Sequence, residues 1–245
     1  MLDILLLRFD APLLSFGGPM VDKWGVTQDH PGMSMLTGLL GNALGYRHKD
    51  ASLLEALQAR LRYAVRCDRV GTRLTDYQTV DLGQPFMKET GWTTRGRSQE
   101  RKGGEARTGT HVRYRTYWAD SVFSIALALT GANEHPDIDV LERALSEPAR
   151  PLFLGRKCCL PAQPILAGRT RTASLLDALR AMPPLPAHRL SGGRVQAWWF
   201  ADETEAVLES RLVRVTDERD WTNQIHGGER LMRHGTLVLE SPDER

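Results

Sequence analysis

Metal-free RNA cleavage requires a side chain that can take the proton of a 2′-hydroxyl, a task suited to histidine, tyrosine or lysine. Seven histidines are scattered along this chain. His30, in a Gly- and Pro-rich loop, and His111, beside an Arg-rich stretch, are the best placed of them. For both, a surface histidine without a catalytic role is the simpler expectation. Ser34 stands where an amphipathic helix should begin and reads as its N-cap. The same helix N-terminus, opened by Pro31-Gly32, offers backbone N–H groups on which a phosphate could rest. No phosphate-binding P-loop, HExxH, GxSxG or zinc quartet is present, so neither a cofactor nor a metal is expected.

The chain's formal charge is only +2, but it is unevenly spread. Between residues 88 and 115 lie Lys88, Arg95, Arg97, Arg101, Lys102, Arg107, Arg113 and Arg115 against Glu89, Glu100 and Glu105. That segment therefore carries +5 and the remainder −3. A run of charge is usually a solvated face. This one is interleaved with Gly and with Trp92, Tyr114 and Tyr117, a mixture suited to a polyanion whose bases can stack. Trp198-Trp199-Phe200 reads instead as core or a protein interface.

These residues need a scaffold. Residues 2–9 are almost continuously apolar and read as a strand buried on both faces. Residues 10–33 read as a loop. A helix follows from Ser34, with Gly38, Gly41 and Gly45 spaced so that its backbone can pack closely against a neighbour. A second helix spans residues 51–61. Strands are expected at 62–70, 76–80, 114–118 and 121–130, a hairpin tip at 102–105, a helix at 136–145, and a further strand opening at Phe153. The order strand, helix, strand, strand, helix, strand is the ferredoxin-like α+β arrangement common among RNA-recognition domains. Residues 1–160 are thus expected to form one domain. Residues 161–245, denser in Pro, should form a smaller β-rich portion with a short helix at 173–182.

The 245-residue length and 25% charged composition are those of an ordinary folded domain or pair of domains. No apolar stretch approaches the ~20 residues that span a bilayer. Three cysteines, two of them adjacent (Cys158 and Cys159), give no disulfide framework, and a reducing cytoplasm is the expectation.

Five blocks occur in a telling order: SMLTGLLGNALG at Ser34, AVRCD at Ala64, DYQTV at Asp76, RTYWAD at Arg115 and FLGRKC at Phe153. Together they resemble the CasD family, the RAMP-type subunits of the type I-E CRISPR surveillance complex Cascade, over about residues 1–165. The resemblance implies a ferredoxin-like domain with an inserted basic β-hairpin thumb at about 81–112. It also implies that the chain binds the 5′ handle of the crRNA, next to the backbone subunit CasC and the large subunit CasA, without catalysis. Handle contacts would come from the loop from Lys23 to Ser34, with Gln28 and His30, from Tyr77, from His111, Arg113 and Arg115, and from Gly155, Arg156 and Lys157. Type I-C relatives imply an alternative, an endoribonuclease using Tyr77, His30 or His111. A scaffold whose thumb binds acidic protein partners is a third reading.

Overall fold

In the computed structural model, which describes residues 1–18, 22–84, 91–92, 98–99, 109–131, 134–184, 193–203 and 209–239, the N-terminal apolar run forms β1 (Leu2–Asp10). Leu5, Leu7 and Phe9 enter one hydrophobic cluster, while Ile4, with Leu6 against it, enters another. Such a run is needed only where both faces of a strand are covered. The first face carries α1 (Met33–Ala43), α2 (Ala51–Arg60) and α3 (Ile138–Ser146), and the second carries α4 (Leu175–Ala181).

The other strands, in chain order, are β2 (Leu13–Leu14), β3 (Trp24–Gly25), β4 (Leu61–Arg69), β5 (Thr72–Asp81), β6 (Gly91–Trp92), β7 (Ser98–Gln99), β8 (Thr110–Ala119), β9 (Val122–Leu129), β10 (Leu166–Thr172), β11 (Arg194–Phe200), β12 (Ser210–Val215), β13 (Arg219–Asp220), β14 (Ile225–His226) and β15 (Arg230–Val238). Seven of them build an antiparallel sheet in the order β10-β1-β9-β4-β11-β15-β12. The architecture is mixed α+β and rich in sheet.

The expected division at residue 160 does not fall between two sheets. β10 closes one edge beside β1, and β11, β15 and β12 prolong the same sheet beyond β4. Nor does a strand open at Phe153. Leu154 N–H donates to Cys159 O and Cys159 N–H to Arg156 O, while Gly155 takes a φ of +102°, so this segment is a tight turn. A Cβ on Gly155 would stand 1.6 Å from the Ser15 carbonyl oxygen, so only glycine fits.

α1 corrects a second expectation. Its N-cap is Gly32, not Ser34, and no side chain of the helix's own start caps it. Asp217, from the segment between β12 and β13, fills that place: its carboxylate accepts Met33 N–H at 2.7 Å and its carbonyl accepts Ser34 N–H at 2.9 Å. Two of the donors expected to await a phosphate are therefore taken. Of the three spaced glycines, Gly41 does meet a neighbour closely, since a Cβ there would lie 2.5 Å from Leu54 Cδ2 of α2. Gly45 instead ends the helix. With φ +83°, it lets its own N–H bond Asn42 O and that of Tyr46 bond Gly41 O.

Arg66 shows how a charged residue inside a buried strand is satisfied. Arg66 is fully buried on β4, where it bonds Asp68 and donates to the last carbonyls of α4, with Nη1 2.8 Å from Met182 O. A guanidinium at a helix C-terminus meets the negative end of its dipole.

Candidate nucleic-acid interface

β5 and β8 form a long antiparallel hairpin, in register from Thr72↔Ala119 to Asp81↔Thr110. Among the described residues β5 has no second neighbour, and it is exposed at nearly every position, whereas β8 is flanked on its other side by β2 and, in parallel, by β3. Facing residues of paired strands share a side of the sheet, and successive residues alternate. Trp24, Tyr114 and Tyr77 therefore form one row across β3, β8 and β5.

The Trp24 and Tyr114 rings stack with centroids 4.2 Å apart, and Tyr77 leans on Tyr114 at 5.2 Å. Lys23 holds its ammonium 5.9 Å from the Tyr114 centroid. Trp24 and Tyr77 remain 46% and 57% exposed, which is costly for rings with no role at the surface. An open aromatic row beside a cation can stack unpaired bases and attract the phosphates between them. Further along the same face, Arg73 lies over the Trp118 ring and pairs with Asp29. Arg73 lies outside the residues read out of the sequence, and Trp24 falls within the Lys23–Ser34 loop without being singled out there; a Trp next to Lys23 was the available signal.

The opposite face of the hairpin carries His111, Arg113 and Arg115. His111 is exposed, and Arg113 and Arg115 are half-buried. Arg115 lies beside Gly25, where a Cβ would meet its Cδ at 3.4 Å. Arg156 proves to be a clamp. Its two terminal nitrogens donate to Thr116 O and Gly25 O, both at 2.9 Å, and its guanidinium covers the Tyr117 ring. It fastens β3 to β8 and so holds the aromatic row, while Gly155 serves the turn that presents it. Burial pushes the Tyr117 phenol above its ordinary pKa.

Lys23, Gln28 and Lys157 are exposed, as a contact to a polyanion requires. Gln28 has a further task, since its carbonyl accepts Trp118 Nε1–H at 2.8 Å. His30 corrects the expectation of a surface histidine. It is buried against Trp198, with Nδ1 3.1 Å from Pro31 O, and burial holds its pKa below the ordinary value. Lys88, Arg95, Arg97, Arg101, Lys102 and Arg107 lie outside the described residues, as does the expected hairpin tip at 102–105. The hairpin strands of β5 and β8 lead directly toward that segment.

The three side chains that could act as a general base do not converge. His30 is interior, Tyr77 shares its face with Tyr114, and His111, opposite Val80, is on the other face. Among the described residues no group of three or more His, Cys, Asp or Glu is placed to hold a metal ion, and no helix is long and apolar enough to cross a membrane.

Known proteins supply a parallel to this arrangement. Residues 4–233 match the family model described as CRISPR-associated protein (Cas_Cas5). The CRISPR system Cascade subunit CasD of Escherichia coli (strain K12) is 32% identical over 189 residues, 74% of this chain and 77% of that protein. A chain of a CRISPR RNA-guided surveillance complex superposes with a TM-score of 0.72 at 26% identity, covering 96% of this chain and 90% of its own. A second solved structure, a Cas protein, gives a TM-score of 0.61 at 27% identity, covering 98% and 99%. Sequence and fold agree over nearly the whole length, and the chain belongs to the Cas5 family of CRISPR-associated proteins.

Proposed function

We propose that this chain is a non-catalytic RNA-binding subunit of a CRISPR RNA-guided surveillance complex, working in the cytoplasm in antiviral defence. It holds the 5′ handle of the crRNA and caps one end of the assembly, beside CasC and CasA. The observation that carries the reading is the exposed row Trp24–Tyr114–Tyr77 with Lys23, set midway along the hairpin whose strand β8 carries the end of the +5 segment. Rings for bases and cations for phosphates are thereby combined on one arm. The thumb at about 81–112 belongs to the same proposal.

The core unit of this reading is ferredoxin-like. β1, β4, β9 and β10 are connected through helices and a hairpin as strand, helix, strand, strand, helix, strand, and they stand in the sheet as fourth, first, third, second. Catalysis is disfavoured by the scatter of His30, Tyr77 and His111 over the interior and two faces.

The test is binding of a labelled single-stranded RNA carrying the handle of the chain's own system. Each stacked base contributes about 1–3 kcal/mol. Trp24→Ala and Tyr77→Ala should each weaken binding about five- to 150-fold if their ring carries one base, with circular dichroism unchanged. A double variant that binds within twofold of the parent would refute the reading. So would cleavage of precursor RNA that is lost in Tyr77→Phe.

A further inference from the structure

A groove with a cavity of about 720 Å³ lies between α1, the α1–α2 connection, α2 and residues 150–160. Gly38 and Gly41 of α1 contribute no side chain to it, and Trp221 and Leu54 stand close beside them: a Cβ would meet Trp221 Cη2 at 3.5 Å and Leu54 Cδ2 at 2.5 Å. The mouth is marked by Arg47, His48, Pro151, Lys157 and Leu160, all of them exposed.

The walls are braced before anything binds. Arg150 Nε–H donates to Asn42 Oδ1 at 2.7 Å and Nη1–H to Gly45 O at 3.3 Å. Asn42 Nδ2–H donates in turn to Pro151 O at 2.9 Å, and Trp221 Nε1–H to Gln58 Oε1 at 3.1 Å. A site that is already ordered loses less entropy when it is filled.

Charge says what kind of occupant suits it. Among the described residues that line the groove there is no Asp or Glu, whereas Arg47, His48, Arg150 and Lys157 are all there. Arg150 is engaged with the groove's own wall. Arg47 and Lys157 have no ion pair among the described residues, although Arg62, Arg73, Arg194 and Arg214, also at the surface, each have one. Asp50, the nearest acid in sequence to Arg47, accepts the Arg47 backbone N–H at 2.8 Å. Outside residues 88–115 the chain carries −3, so cations gathered without carboxylates run against the local balance.

We propose that this groove docks a segment of a neighbouring protein subunit in which an apolar side chain is flanked by Asp or Glu. The apolar anchor fills the cavity beside Leu54, Pro151 and Trp221, and the carboxylates meet Arg47, His48 and Lys157. Anchors seated in preformed pockets carry most of the energy of such contacts, and complementary charge at the rim adds specificity. RNA suits the groove less well. Pro151 and Leu160 offer no ring to a base, and Trp221 is only 9% exposed, in contrast to the open row Trp24–Tyr114–Tyr77. The inference rests on the reading of the chain as a subunit of an assembly.

Leu160 is 60% exposed at the mouth, so it can carry a probe without disturbing the core. The chain's own surveillance complex is assembled with Leu160→p-benzoylphenylalanine, irradiated, and the adduct identified by mass spectrometry. The expected adduct is to another protein subunit, at a segment with two or more Asp or Glu beside a large apolar residue. Adding Arg47→Glu should lower the adduct yield at least about fivefold, because it sets like charges together, whereas Arg47→Lys should preserve it. Circular dichroism and RNA binding of the free Arg47→Glu chain should match the parent. An adduct to RNA, to a second copy of this chain or to a segment without acids would refute the groove, as would no adduct within an assembled complex or a yield indifferent to Arg47→Glu. In each of those cases the subunit reading stands. A parent chain that enters no ribonucleoprotein would overturn both.

Discussion

Asp217→Ala should be among the most damaging single changes in the chain. The Asp217 carboxylate accepts Met33 N–H at 2.7 Å and Tyr63 Oη–H at 3.2 Å, and it is paired with Arg230 Nε at 2.7 Å and Nη2 at 2.6 Å. The two side chains of the ion pair are only 13% and 8% exposed. Removing one member of a buried pair strands the other charge, at a cost of about 3–5 kcal/mol. Loss of a cap alone costs about 1 kcal/mol, and the two effects overlap. For a chain of this size each kcal/mol lowers Tm by roughly 2–4 °C, so the variant should melt about 6–20 °C below the parent. Asp217→Ala/Arg230→Met should recover part of the loss by removing both charges. Burial alone would raise the Asp217 carboxyl, but Arg230, the Met33 N–H and His30 outweigh it and hold the pKa below its ordinary value. The folded state thus binds fewer protons than the unfolded one. The stability contributed by this group is complete above the ordinary carboxylate value near ~3.9 and is lost as pH falls through the lowered folded value. Urea denaturation should show the gap between parent and variant wide at pH 7 and closing below about pH 4. A single variant within 1 kcal/mol of the parent, or a double variant no better than the single, would refute the argument.

Two further outcomes are expected. Removing Arg95, Arg97, Arg101 and Lys102 together should weaken handle binding and flatten its log–log salt slope by up to roughly 3, at ~0.7 per lost contact to a single strand. An unchanged slope would mean that the charge run is a solvated face. Gly155→Ala combines a positive φ with a collision at Ser15 O, so it should lose at least ~1–3 kcal/mol from backbone conformation alone. The turn argument is wrong if this variant melts with the parent.

How far the sequence revealed the molecule depended on the range of the interactions. β1 was legible because burial on two faces leaves a local mark, an unbroken apolar run. The start of α1 was misread because its cap comes from Asp217, 184 residues beyond Met33. His30 looked like a surface residue for the same reason, since the Trp198 ring that buries it belongs to a distant strand. β10 has the polar sequence LAGRTRT and escaped notice, while the apolar Phe153-Leu154 pair suggested a strand where Gly155 imposes a turn. The basic segment was readable as composition. The aromatic row was not, because the parallel pairing of β3 with β8 that brings Trp24 to Tyr114 leaves no periodic trace in a two-residue strand.

The continuity of the seven-stranded sheet bears on how the chain is made. Leu2 pairs with Thr172, and β4 has β11 as its neighbour on the side away from β9. A ribosome releases the N-terminal strand long before either partner exists, and the residue that caps α1 emerges later still. Pairings this distant in sequence slow folding and leave strand edges exposed meanwhile. Until β15 emerges, β11 lacks its partner on that side and the sheet must wait with an open edge.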